Sequence, residues 1–161
     1  MFNKIIELLE NSKVAFTVLE HSAEGRSEEV SNIRGTKLCE GAKAMVLKGT
    51  QPDKSILFLL AILPADKSID LSKIKQALNL KKITFANTDD AKRLTGCEIG
   101  AIPPFSFNEE LCLIIDNAIK NNEKVAFNAG SLSKSIVLLT KDYLNVLPKK
   151  TTFFDFSKER I

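Results

Sequence analysis

Apolar residues at Phe2, Ile5, Ile6 and Leu9 recur at helical spacing and predict an amphipathic helix over Phe2 to Asn11. Val14 to Glu20 is rich in β-formers and predicts a strand. Ser27 precedes Glu28 and Glu29, a hydroxyl fit to cap a helix and two acids where the helix dipole favours negative charge. They predict a short helix that stops at Gly35. Ala42 to Lys48 is apolar on both faces and predicts a strand. The unbroken apolar run Ile56 to Leu63 places a central, two-sided strand over Ser55 to Leu63.

Asp70 caps a helix reaching about Leu80, Lys82 to Ala86 is a strand, and Thr88 caps a helix that ends near Gly96. Cys97 to Pro104 has no regular period and predicts a loop. Leu111 to Ile115, Lys124 to Asn128 and Ser135 to Thr140 predict strands, and Lys141 to Leu147 a last helical turn or two. Strands and helices are interspersed without strict βαβ alternation. The expected fold class is therefore mixed α/β: one compact domain over residues 1–161, with a curved mixed central sheet wrapped by short helices. The polar tail from Pro148 to Ile161 is expected to lie outside the core, although its Phe153, Phe154 and Phe156 need something to dock on.

Composition narrows the class. The chain has 161 residues, 44% hydrophobic and 27% charged, which excludes disordered and low-complexity proteins and fits one domain. The absence of Trp and the ten Phe predict a core of Phe, Leu and Ile. No apolar run approaches the roughly 20 residues of a bilayer span, and acidic Glu7 comes too early for a secretory signal. A cytoplasmic protein without membrane contact is expected. The net charge of +3 permits a polyanion partner but is low for a dedicated DNA binder.

Cys39, Cys97 and Cys112 are odd in number and widely spaced, and His21 is the single histidine. They match no common zinc module, so free, mostly buried thiols and no metal are expected. Phosphate-binding glycine loops, H-E-x-x-H and calcium loops are absent. His21 by itself does not make a triad.

Three features remain. Period-two alternation puts Lys43 on the face of Met45 and Leu47, where an ammonium either lines a pocket or snorkels to water. Thr95-Gly96-Cys97-Glu98-Ile99-Gly100-Ala101-Ile102-Pro103-Pro104-Phe105 makes a stiff loop whose N–H groups either bind a carbonyl oxygen or simply turn the chain. Phe127-Asn128-Ala129-Gly130-Ser131 is a strand ending in small residues that lines a site or merely turns.

The order His21, Ser27-Glu28-Glu29, G-A-K-A-x-V-L-K at Gly41 to Lys48, T-G-x-x-x-G-x-x-P-P-F at Thr95 to Phe105, and Asn128 to Ser131 resembles the YbaK/ProX family. These are aminoacyl-tRNA deacylases related to the editing domain inserted in bacterial prolyl-tRNA synthetase. The resemblance covers roughly Val14 to Leu147. It implies hydrolysis of the ester that joins a wrong, small amino acid to the 3′ acceptor end of tRNA, such as a tRNA-Pro mischarging product, without cofactor or metal.

The family's functional lysine falls on Lys43 and its G-x-x-x-P loop on Gly100 to Pro104. Gly100, Ala101, Ile102 and Pro103 are then substrate-binding, with Ser27 and Glu28 capping a pocket wall and Gly130 and Ser131 beside it. The amides of Gly100 and Ala101 would fix the carbonyl. Two positions depart from the family: Ala101 replaces a frequent second glycine, and Cys97 an aromatic residue. Both would change pocket volume. Lys81-Lys82, Lys92-Arg93 and Lys149-Lys150 are candidate tRNA contacts, with a synthetase or elongation factor as a partner supplying tRNA specificity. The competing reading is a binding module that has lost catalysis and docks on a synthetase or tRNA.

Overall fold

The computed structural model describes residues 1–160. Its helices are α1 (Phe2–Asn11), α2 (Ser27–Arg34), α3 (Leu71–Ala77), α4 (Thr88–Thr95) and α5 (Thr140–Val146). Its strands are β1 (Phe16–Glu20), β2 (Ala42–Thr50), β3 (Ile56–Pro64), β4 (Lys67–Ile69), β5 (Lys82–Phe85), β6 (Leu111–Asp116), β7 (Lys124–Ser131), β8 (Lys134–Leu139), β9 (Thr152–Phe154) and β10 (Ser157–Glu159). The expected mixed α/β architecture is present.

A five-stranded mixed sheet, in the order β5-β2-β3-β6-β9, forms the centre. β2 pairs antiparallel with β3, setting Lys43 opposite Leu63, whereas β6 joins β3 in parallel. The sheet is covered on both sides, which is why β3 is apolar at successive positions. Leu60 and Ile62 enter one core with Ile5, Leu9, Phe127 and Tyr143. Leu59, Ala61 and Leu63 enter a second core with Ile74 and Phe156. A three-stranded antiparallel sheet, β1-β8-β7, packs on the first side.

Helix ends follow local chemistry, with three corrections. Asp70 caps α3 by accepting from the amides of Ser72 and Lys73, but the helix stops at Ala77. Asn87, not Thr88, caps α4 through the amide of Asp90. The residue before α2 is Arg26, so Ser27 is already helical and caps nothing; Ser31 Oγ donates to its carbonyl at 2.8 Å. Left-handed Gly35 and Gly96 stop α2 and α4 where expected, because only a residue without Cβ takes this φ cheaply.

The tail is not peripheral. β9 pairs with β6, β10 pairs with β4, and Phe156 is fully buried. Asp116, itself 1% exposed, holds the tail: its Oδ1 accepts from the amides of Phe156 (2.8 Å) and Ser157 (3.0 Å), and its Oδ2 from Ser157 Oγ (2.7 Å). Cys112 is exposed, contrary to the buried thiols expected. Among the described residues, no helix is long and apolar enough to cross a membrane.

Candidate functional site

The two large sheets touch at a parallel bridge between Gly41 and Ala126. A cavity of about 80 Å³ opens at this seam, between the start of β2, the middle of β7, α2 and the loop at Gly100. Space for one water requires roughly 10–15 Å³ on this measure, so the cavity has room for a small side chain and little more. Val30, Ile102, Ala126 and Phe127 give it apolar walls. Its polar groups are Ser27, Arg34, Lys43 and Asn128.

Lys43 stands at the threshold. Together with Gly25, Ser27 and Ala65 it lines both the cavity and an outer vestibule that also includes Glu28 and Arg160. Its Nζ donates to the carbonyl of Lys67 on β4. Half-burial pushes its pKa below the usual 10.5; the nearby charge of Arg160 adds to the lowering and Asp66 opposes it. The tail reaches the same place, for Arg160 donates to Ala65 O at 3.2 Å and lies 3.4 Å from Glu28 Oε1.

The loop is a β-turn over Glu98 to Ala101, closed by Ala101 N–H donating to Glu98 O at 3.0 Å. Gly100 occupies its third position with φ +90°, which explains the glycine. Three carbonyls fix the loop. Asn128 Nδ2 donates to Gly100 O (2.8 Å), Gly130 N–H to Ala101 O (2.9 Å), and buried Tyr143 Oη to Pro104 O (2.8 Å). The Gly100 amide itself has no acceptor among the described residues. Gly100 lines the cavity, and a free amide donor beside such a space can stabilise charge developing on a carbonyl oxygen.

Behind the cavity runs a partly buried polar network. Arg34, the last residue of α2, donates through Nε to Ser135 Oγ (2.8 Å) and through Nη2 to Asn128 Oδ1 (3.0 Å). His21 Nε2 lies 2.8 Å from Ser135 Oγ, and its Nδ1 2.8 Å from Ser22 O. Burial alone lowers the Arg34 pKa to about 10.

The structure gathers Ser27, Lys43, Gly100 and Ile102 around one cavity and places Glu28 at its vestibule. Four expected residues do not line it. Ala101 is 2% exposed with its methyl in the main core and its amide spent on Glu98, so it is neither wall nor carbonyl donor. Pro103 lies along a different groove, with Met1 and Phe105. Gly130, at the bulge of β7, packs beneath Met1, where a Cβ would come within 2.6 Å of Met1 Cγ. Ser131 Oγ pairs with Ser133 in the β7–β8 hairpin. Cys97 is likewise a core residue, not a pocket wall. Lys92 and Arg93 are paired with Glu98, Asp90 and Glu110. Gly25 and Arg34 line the cavity without having been expected there.

Residues 21–146 match the family model described as the aminoacyl-tRNA editing domain. The chain is 42% identical over 146 residues to the multifunctional Ser/Thr-tRNA deacylase ProXp-y of Escherichia coli, covering 89% of this chain and 86% of that protein. It is 30% identical over 105 residues to the proline–tRNA ligase of Lactobacillus acidophilus, covering 59% of this chain and 19% of the ligase. The solved structure of a candidate trans-editing enzyme for prolyl-tRNA synthetase superposes with a TM-score of 0.78 at 20% identity, covering 98% of this chain and 96% of that one.

Proposed function

The chain belongs to the aminoacyl-tRNA editing domain family, and from that premise we propose that it deacylates mischarged tRNA, with serine and threonine as the amino acids removed. The observation that carries this reading is the free Gly100 amide on a small cavity whose threshold is Lys43. The similarity to a Ser/Thr-tRNA deacylase supports the choice of amino acid.

The 3′-terminal ribose sits in the vestibule and the aminoacyl group enters the cavity. Gly100 N–H donates to the ester carbonyl oxygen and holds it more tightly as negative charge develops there. Lys43 offers a point charge to the ester or the terminal phosphate. Among the described residues no carboxylate or imidazole lines the inner cavity, so this site offers no protein base next to the ester. An ester is already activated, and attack by water assisted by the neighbouring ribose hydroxyl needs mainly position and electrostatics. Cavity size excludes large amino acids by sterics. With a net charge of only +3, tRNA binding is weak and salt-sensitive, and a synthetase or elongation factor delivers the substrate.

The test is a panel of tRNAs charged with serine, threonine, alanine, proline and leucine. Accelerated release of serine and threonine, with leucine retained, supports the reading. No acceleration for any of them overturns it.

A further inference from the structure

We infer that Arg34 is a specificity-determining residue, whose guanidinium accepts into the cavity only side chains that carry a hydroxyl. This rests on the deacylase reading above and adds to it the group that reads the amino acid.

The hydrogen positions follow from the contacts. A carbonyl only accepts, so the 2.8 Å contact of His21 Nδ1 with Ser22 O places a proton on Nδ1. In the neutral imidazole Nε2 then accepts from the Ser135 hydroxyl at 2.8 Å. Ser135 Oγ is left as the acceptor for Arg34 Nε. Both amide protons of Asn128 are used, on Glu24 O and Gly100 O, and its Oδ1 takes Arg34 Nη2 at 3.0 Å with Ser135 Oγ at 3.2 Å. His21, Ser135 and Asn128 thus fix the plane of the guanidinium with two of its five N–H groups. The others remain for the cavity.

What they meet is constrained by charge and depth. No carboxylate neutralises Arg34 among the described residues, and burial is what depresses its pKa. An arginine donates and never accepts, so the ligand atom is an acceptor. The α-ammonium of an aminoacyl ester is excluded by like charge. The α-carboxyl is already esterified. Depth decides between the remaining acceptors, because Lys43, Ser27 and Gly25 line both vestibule and cavity, whereas Arg34, Asn128 and Phe127 line the cavity alone. The ester, tethered to the ribose, stays at the threshold, and the side chain points inward. Its hydroxyl is the acceptor that reaches Arg34. Val30 and Ile102 accommodate the methyl of threonine.

A site built to hydrogen-bond a substrate hydroxyl rejects the isostere lacking it, because the protein donor is then left buried and unpaired. The decisive pairs are therefore threonine against valine and serine against alanine, each charged on the same tRNA and followed in single turnover. In the wild type, threonine is released about 10- to 100-fold faster than valine, the range of a hydrogen bond from a charged donor. Arg34→Met collapses both ratios toward one. Ser135→Ala, which removes one of the acceptors that aim the guanidinium, lowers them by a smaller factor. Equal slowing of all four esters by Arg34→Met, or a wild-type threonine-to-valine ratio near one, overturns the role of Arg34. Should Arg34→Met not fold, the wild-type ratio and Ser135→Ala decide alone. Failure of the wild type to hydrolyse any of the four refutes the deacylase reading itself, a result distinct from equal hydrolysis of all four.

Discussion

Replacing Lys43 by methionine keeps the apolar stem and removes the ammonium. That charge makes one hydrogen bond, to the carbonyl of Lys67, and burial disfavours it. Losing the hydrogen bond costs about 0.5–1.5 kcal/mol, while removing an unpaired, half-buried charge recovers a comparable amount. Stability in urea should therefore change by no more than about 1 kcal/mol. Deacylation should fall far more, because a donor aimed at developing charge is worth about 100- to 1,000-fold.

The pH dependence has a definite sign. The folded pKa of Lys43 lies below 10.5, so between the two values the unfolded chain binds more protons and wild-type stability rises with pH through that window. The rise should be absent from Lys43→Met. Chemical denaturation between neutral pH and pH 11 measures this, and single-turnover release of serine from tRNA measures the activity. Deacylation by the variant within about threefold of wild type, less than 1 kcal/mol of transition-state stabilisation, would refute the assigned role.

Gly100→Ala forces a side chain onto φ +90° and brings its Cβ to 3.2 Å from the Cα of Gly25, so the loop must move; thermal melts should show a loss of about 1–2 kcal/mol, with deacylation reduced. Ala101→Gly removes a methyl from the core rather than from the cavity, so the ratio of serine to threonine release should hold while stability falls by roughly 1 kcal/mol; a changed ratio would return Ala101 to the pocket wall. Asp116→Ala strips acceptors from the amides of Phe156 and Ser157 and should cost about 3 kcal/mol, with limited proteolysis cutting first in the tail.

Much of this fold is legible because the burial pattern is strong. The two-sided run of β3 announces a covered central strand, and glycines stop α2 and α4. The tail misleads because β9 and β10 are three residues each and polar at several positions. Only pairing with β6 and β4 reveals them. At the site, alternation along β2 places Lys43 with Met45 and Leu47, and the turn chemistry marks Gly100. The next residue, Ala101, faces the opposite way once the turn closes, which no spacing rule within an irregular loop foretells. Arg34 gives a weak signal, since a cation in the last turn of a helix is common as a partner for the dipole. Its role appears only when Asn128 and Ser135, far away in sequence, come within hydrogen-bonding distance.

In the proposed function, the seam between the two sheets receives the aminoacyl end of tRNA, with Gly100 on its carbonyl. A stable analogue, serine joined through an amide to 3′-amino-3′-deoxyadenosine, can be titrated into ¹⁵N-labelled protein and followed by amide chemical shifts. The largest downfield shift should fall at the Gly100 N–H, accompanied by changes at Lys43 and Asn128. Saturable binding that leaves Gly100 unmoved and shifts amides elsewhere would contradict this placement.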